Sequence, residues 1–378
     1  MKTILTSILS VLFISFSAQS TITGNFTYDG EARSYQMYVP ATYTPGTPVP
    51  LVLNLHGYGS NNTQQMSYAN FKPIADTANF LILAPLGIAD GNGTSHWNAN
   101  WATGVDDIGF INALLDTISN SYTVNQDRIY STGMSNGGFM SLTLAGQLDS
   151  RIAAVASVTG TMSTLQIPAN TVTRPVPVMQ IHGTADPTVN YSGDAYFLSV
   201  DSVINYWVGH NNCGSTPIFT ALPDINTADG CTAELYEYLG GDNGSEVVHY
   251  KIIDGAHTWP DAPFTIGVTN RDFNACEVIW EFFSKYEKAS LVSIDPINNT
   301  EDWFSITGEN PTNGFVNFDS KGVQLFSVSV FDINGKLINS ISNLSGRSMV
   351  DLTKYDSGIY LISMQDKAHS SVFKIVKQ

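Results

Sequence analysis

The sequence predicts two folded regions in series: a doubly wound α/β domain with a mostly parallel sheet over residues 20–289, then a small all-β sandwich over residues 290–378. Three observations carry that prediction. Short apolar runs alternate with amphipathic stretches through the first region, as buried parallel strands and covering helices do. Near residue 290 the alternation stops at a polar stretch, Ser293-Ile-Asp-Pro-Ile-Asn-Asn-Thr300, and period-two runs follow. The chain of 378 residues is 43% apolar and 11% aromatic, enough to bury a core and to exclude global disorder.

In chain order, residues 1–19 read as a cleaved signal peptide. Lys2 supplies the positive start, Ile4 to Phe16 is mostly apolar, and Ser17 to Ser20 offers small residues for cleavage. That apolar run falls short of the about 20 residues a bilayer span needs, and no later stretch reaches that length. Strands are expected at Leu51–Leu55, Phe80–Ala84, Arg128–Thr132, Ala153–Ser157, Val176–Ile181 and Val247–Ile253. Helices are expected at Val105–Ser119, Asn136–Leu148, Ala195–Val208 and Asp272–Lys285. Beyond the polar stretch, Phe326–Phe331 alternates apolar and polar residues, Asp332-Ile-Asn-Gly-Lys336 supplies a turn, and short strand-sized pieces run to the end.

Composition limits the partners. Charged residues make up 13% of the chain, with 33 acidic against 17 basic side chains and a net charge of −16. Nucleic acid and anionic membranes both demand basic patches, so neither is expected as a partner. Low charge with abundant Asn, Ser, Thr and Gly suits a secreted protein. Cys213 and Cys231 flank a Gly/Pro/Thr-rich stretch in which a bridge would stabilise by about 3 kcal/mol. Cys276 lies in a segment of helical period and is expected to pack as a small hydrophobe. Three cysteines without close histidines argue against a zinc site.

The chemistry centres on Gly133-Met-Ser-Asn-Gly137, a G-x-S-x-G pattern placed between the strand ending at Thr132 and a helix starting at Asn136. That context defines a nucleophile elbow, in which the glycines allow a tight turn and Ser135 is lifted into the open. The helix aims its N-terminal amides at developing negative charge. A serine hydroxyl needs a base oriented by an acid, and in α/β-hydrolases the chain order is Ser, acid, His. His257 follows the last core strand in Asp254-Gly-Ala-His-Thr-Trp-Pro260, where the base belongs. His249 lies inside that strand and reads as a packed residue. Asp186 lies in the loop after the strand ending at His182 and is the expected acid. Asp106 and Asp107 precede the nucleophile and read as helix N-terminal charges. The oxyanion donors are expected to be the amides of Asn136 and of Tyr58, the latter in Leu55-His-Gly-Tyr-Gly-Ser60. His56 reads as a hydrogen-bonding organiser of that loop. Trp97, Trp101 and Trp259 lie beside these motifs and are candidates for an aromatic pocket wall, with core packing as the competing reading.

Leu55-His-Gly-Tyr-Gly59, Val105-Asp-Asp-Ile-Gly-Phe-Ile111, Gly133-Met-Ser-Asn-Gly-Gly138, His182-Gly-Thr-Ala-Asp-Pro187 and Gly255-Ala-His-Thr-Trp-Pro260 together resemble the secreted polyhydroxybutyrate depolymerase/feruloyl esterase family of α/β-hydrolases. The resemblance spans about residues 22–289. It implies carboxylic ester hydrolysis through an acyl-enzyme without metal or cofactor, with Ser135 as nucleophile, Asp186 as acid and His257 as base. It also implies a cysteine pair in the segment holding Cys213 and Cys231. Tyr58 departs from the small residue or cysteine of many members, which alters the expected pocket shape.

The C-terminal region resembles the type IX secretion sorting domain of Bacteroidetes in Val328-Ser-Val-Phe-Asp-Ile-Asn-Gly-Lys336, Leu352-Thr-Lys-Tyr-Asp-Ser-Gly-Ile-Tyr-Leu361 and Phe373-Lys-Ile-Val-Lys377. It departs at the front, where Ile294-Asp-Pro-Ile-Asn298 replaces the usual Tyr-Pro-Asn-Pro; a carbohydrate-binding sandwich is the alternative. The sequence thus predicts a secreted serine carboxylesterase, released or held at the cell surface. Its expected partners are the type IX secretion machinery and an ester-bearing polymer or oligosaccharide. Feruloyl or acetyl esters on plant polysaccharide are the expected substrates, and polyhydroxyalkanoate is the alternative. A catalytically idle surface binder and a serine peptidase are the competing classes. The first is disfavoured by the complete Ser135/Asp186/His257 set, the second by the lack of a charged clamp for a peptide terminus.

Overall fold

The computed structural model describes residues 19–101, 104–264 and 266–288, and further along 304–307, 311–321, 325–332, 337–366 and 370–377. The expected signal peptide and the Ser293–Thr300 linker lie outside the described residues, as does most of the turn at 332–336. The chain divides into two compact units, residues 1–291 and 292–378.

The first unit is built on a ten-stranded sheet. In chain order its strands are β1 (Ser20–Tyr28), β2 (Glu31–Val39), β3 (Val49–Leu55), β4 (Leu81–Pro85), β5 (Val124–Met134), β6 (Ala154–Val158), β7 (Val178–Gly183), β8 (Ile218–Ala221), β9 (Thr232–Tyr238) and β10 (Val247–Ile253). Their spatial order is β1-β2-β4-β3-β5-β6-β7-β10-β9-β8. The run β4-β3-β5-β6-β7-β10 is parallel. An antiparallel pair extends each edge: β1 and β2 on one side, β8 and β9 on the other. The predicted doubly wound, mostly parallel sheet is therefore present, and the edge strands are an addition. Strand β1 alternates exposed and half-buried residues, β8 is exposed and β9 mostly half-buried, weaker signals than the continuous apolar runs of the centre.

Apart from one four-residue turn at Gln166–Ala169, the described α-helices of this unit are α1 (Asn62–Tyr68), α2 (Lys72–Ala78), α3 (Asp107–Ser121), α4 (Asn136–Gln147), α5 (Val200–His210) and α6 (Ala275–Ser284), which cover the sheet. The pleat sorts strand residues between two cores. Leu51, Leu53 and Leu55 of β3 face a cluster shared with Leu114 of α3, Phe139 of α4 and Trp207 of α5. Val52 faces the other way, with Met66 of α1, Ala75 of α2 and Phe282 of α6. Helix starts are set by side-chain caps: Asn61 for α1, Asp106 for α3, Ser199 for α5 and Asn274 for α6 each accept a backbone amide of the first turn. These caps shift three of the expected helix starts a few residues along the chain.

The second unit comprises β11 (Phe304–Ile306), β12 (Phe315–Ser320), β13 (Phe326–Asp332), β14 (Leu337–Leu344), β15 (Ser348–Asp351), β16 (Gly358–Gln365) and β17 (Ser370–Lys377). They form a three-stranded sheet, β11-β12-β15, and a four-stranded sheet, β14-β13-β16-β17, both antiparallel. Phe318 and Val350 of the first sheet share a core with Val328, Val330 and Ile362 of the second, the all-β sandwich expected from period two.

Candidate active site

The first unit's motifs gather at the carboxyl ends of its parallel strands, where open α/β sheets place their ligands. Ser135 joins β5 to α4 with φ 55° and ψ −120°, a left-handed conformation that side chains rarely adopt. Tight packing enforces it. A Cβ at Gly137 would run into the Leu55 carbonyl, and one at Gly160 would lie 2.6 Å from the Ser135 carbonyl oxygen. The Ser135 amide donates to Val158 O at 2.8 Å, while among the described residues its hydroxyl makes no hydrogen bond.

His257 Nδ1 lies 2.7 Å from Asp186 Oδ2, so Nδ1–H donates and Nε2 is left as a proton acceptor. Asp186 is tightly held. Its Oδ1 accepts the amides of Thr188 (2.8 Å) and Val189 (2.9 Å), and its Oδ2 also faces His182 Nε2 at 3.3 Å. Burial alone would raise its pKa, but hydrogen bonds and charge interactions from His182 and His257 outweigh it and hold the carboxyl well below its ordinary value. His182 is fully buried and is fixed by Val189 O at 2.8 Å and by Gln180 Nε2 at 3.2 Å. No motif assigns His182 a role in the sequence, although its place four residues before Asp186 at the end of β7 marks it.

The loop after β3 lies against the elbow: a Cβ at Gly57 would come within 3.4 Å of Ser135 Cβ. The amides of Tyr58 and Asn136 carry no hydrogen bond among the described residues, so two unspent donors flank the serine. The Tyr58 side chain turns outward, 53% exposed, and its hydroxyl donates to Asp90 at 2.8 Å. The loop is braced by His56, whose Nδ1 donates to Gly57 O at 2.8 Å and whose Nε2 accepts the Gly87 amide at 2.9 Å. Burial pushes the His56 pKa down to about 4, keeping the ring neutral.

Two of the three tryptophan candidates do not line the cavity beside His257. Trp97 is fully buried, donates its indole N–H to His56 O at 3.0 Å and exchanges backbone bonds with the Asn136 amide side chain (2.7 and 3.0 Å). It is a core strut because its indole bonds the loop after β3 while its backbone bonds the first residue of α4. Trp101 packs on Phe139 and Phe197, with ring centres 5.6 and 6.0 Å away. Trp259 does line that cavity, which has a volume of about 520 Å³ and is also walled by Tyr68, Met134, Phe264 and Ile266. No sequence motif marks Tyr68, Phe264 or Ile266, and Met134 lies in the elbow motif at a position whose side chain the pattern leaves open.

Two further expectations are corrected. Cys213 and Cys231 are free thiols, not a disulfide. Cys213 lies against Gly241, past the end of β9, whereas Cys231 precedes the start of β9. Seven strand residues put them on the order of 20 Å apart, and a bridge needs Cα atoms within about 7 Å. Asp107 does more than bias a helix dipole: it pairs with buried Arg33 at 2.5 Å and accepts the Asn98 amide at 2.8 Å.

Comparisons with known proteins agree with the class that this fold and site define. Residues 105–200 match the phospholipase/carboxylesterase family, and residues 310–378 match the secretion system C-terminal sorting domain. The first unit thus has the α/β-hydrolase fold and is similar to carboxylesterases over part of its length, and the second is similar to a secretion sorting domain over most of its length. Its relatives include the bifunctional acetylxylan esterase/xylanase XynS20E of Neocallimastix patriciarum, 26% identical over 70% of this chain and 35% of that protein. The chain thus spans about a third of that relative's length. Feruloyl esterase D of Neurospora crassa is 25% identical over 70% of this chain and 86% of its own length. Feruloyl esterase C of Emericella nidulans is 27% identical over 66% and 83%. Among the described residues no helix is long and apolar enough to cross a membrane.

Proposed function

We propose that this chain is a secreted serine esterase that removes hydroxycinnamoyl (feruloyl-type) groups from plant polysaccharide. The observation that carries the reading is the 2.7 Å His257–Asp186 bond, made across 71 residues at the same end of the sheet as a strained, unpartnered serine. Ser135 Oγ attacks the ester carbonyl while His257 Nε2 takes its proton. The amides of Tyr58 and Asn136 stabilise the oxyanion; as the acyl C–O bond breaks, His257 gives the proton to the departing sugar oxygen, which leaves as a hydroxyl. Water, activated by the same imidazole, then releases the acid from Ser135. An aromatic acyl group is favoured over acetyl because the cavity at His257 is large and has walls of Trp259, Tyr68, Phe264 and Ile266. The feruloyl and acetylxylan esterases among the relatives support an ester on polysaccharide. The sorting domain supports export.

Purified protein should hydrolyse methyl ferulate with a higher kcat/KM than it shows for acetylated xylan, and should release little from polyhydroxybutyrate. Ser135→Ala should abolish all three activities, with a loss on the order of 10⁶. Preference for polyhydroxybutyrate would replace the substrate assignment, and a Ser135→Ala variant retaining more than about 1% of activity would overturn the mechanism.

A further inference from the structure

A second cavity, sharing no lining residue with the one at His257, lies between α5 and the outer strands β9 and β10. Its volume is about 330 Å³, and Tyr191, Asp201, Asn205, Tyr236, Tyr238 and Lys251 line it over a floor formed by His249. We propose that it is a binding site for a neutral saccharide chain.

The chemistry of its walls is the argument. Tyr191, Tyr236 and Tyr238 bring phenol edges and hydroxyl groups to its walls, which suits a ring that carries both C–H groups and hydroxyls. One ammonium and one carboxylate, Lys251 and Asp201, leave no net charge to select an ion. The Asn205 amide, the Tyr238 hydroxyl and Lys251 Nζ make no hydrogen bond among the described residues, so donors and acceptors are unspent. The catalytic cavity differs, being walled largely by apolar side chains. The two cavities would therefore take chemically different groups.

The walls are also set in advance. The Tyr236 ring is held between Phe219 (5.2 Å) and His249 (6.2 Å, stacked), and its hydroxyl donates to Glu234 at 2.8 Å. The Tyr191 hydroxyl lies 2.9 Å from His249 Nε2 and 3.1 Å from Asp201 Oδ1. His249 Nδ1 in turn donates to Gln180 O at 3.0 Å, tying the floor to β7. Aromatic groups held in place before binding lose little freedom when a ligand packs against them. The proposal does not depend on which ester the Ser135 centre cleaves, because a saccharide without any ester should bind.

Xylohexaose, which carries no ester, is the probe, and titration calorimetry on the full chain is the readout. Wild-type protein should give saturable binding, and Tyr236→Ala should weaken it about ten-fold. Asn205→Ala and Tyr238→Phe remove only half-buried or exposed groups, so they report on the site even if Tyr236→Ala misfolds; each should weaken binding several-fold. Trp259→Phe, in the catalytic cavity, should leave it unaltered. Absence of saturable binding would overturn the proposal, as would binding that Trp259→Phe weakens while the Asn205 and Tyr238 variants do not.

Discussion

At the scale of single residues, Asp186 is the most constrained group in the site. Two amides and two imidazoles converge on its carboxylate, and it is nearly fully buried. Asp186→Asn would keep the shape but present an amide to His257 Nδ1, favouring the wrong tautomer, so kcat should fall about 10⁴-fold. Steady-state kinetics, with circular dichroism to verify folding, would check this; a loss below ten-fold would remove Asp186 from the acid role. Two donor amides at Tyr58 and Asn136 belong to the same scale, since neither depends on the identity of its side chain. That is why the exposed Tyr58 ring, bonded to Asp90, is compatible with an oxyanion role for its backbone.

At the scale of elements, the start of α3 separates two aspartates that look alike in sequence. Asp106 caps the helix, accepting the Gly109 amide at 2.8 Å and the Tyr28 hydroxyl at 2.7 Å. Asp107 instead joins α3 to β2, through Arg33, which also lies 3.6 Å from the Phe110 ring centre. Breaking a buried pair by removing one partner strands the other charge. Asp107→Asn should therefore destabilise by about 3 kcal/mol while kcat of the folded protein stays near wild type. Chemical denaturation alongside kinetics would test both halves, and a fall in kcat matching that of Asp186→Asn would reopen the choice of acid. The elbow shows the converse case, where a short motif was enough. Gly133 and Gly137 admit no Cβ against the Leu55 carbonyl, so the pattern of residue types dictates the turn.

At the scale of the whole molecule, two predictions follow from units and buried imidazoles. Protein trimmed to residues 20–289 is expected to fold and to retain near-full activity on small soluble esters. All the proposed catalytic groups lie in the first unit, and the trimmed chain keeps Lys288, which donates to Ser150 O at 2.8 Å. In a Bacteroidetes host the same trimming should leave the enzyme in the periplasm; secretion that persisted would detach the C-terminal unit from sorting. The second prediction concerns acid. Burial lowers the pKa of both His56 and His249 to about 4, against an unfolded value of about 6.5. Between those values the unfolded chain binds more protons, so stability rises with pH through that window and is lost as pH falls through it. Each imidazole accounts for on the order of 3 kcal/mol once pH reaches 4. The depressed Asp186 has the same sign, its contribution being lost only below about pH 4. Melting temperature should fall from pH 7 to pH 5, and His249→Gln should flatten that slope; an unchanged slope would contradict the assignment.

The sequence by itself determined the central sheet, the elbow at Ser135 and the order of the candidate triad. These are written in local terms: continuous apolar runs, glycines where no Cβ fits, and motifs at strand ends. The β11–β17 sandwich was legible for the same reason, through period two. The edge strands β1, β2, β8 and β9 and the short helices α1 and α2 were not, because half-buried or brief elements carry little pattern. Other outcomes were decided only by tertiary structure. Trp97 and Trp259 stand beside equally suggestive motifs and both are buried in the core, yet only Trp259 also borders the cavity. Cys213 and Cys231 are close in sequence, but a whole strand separates them in space. His182 gains its contact with Asp186 from the way the loop after β7 folds back. Distance between side chains is set by packing across elements, and no local pattern of residue types encodes it.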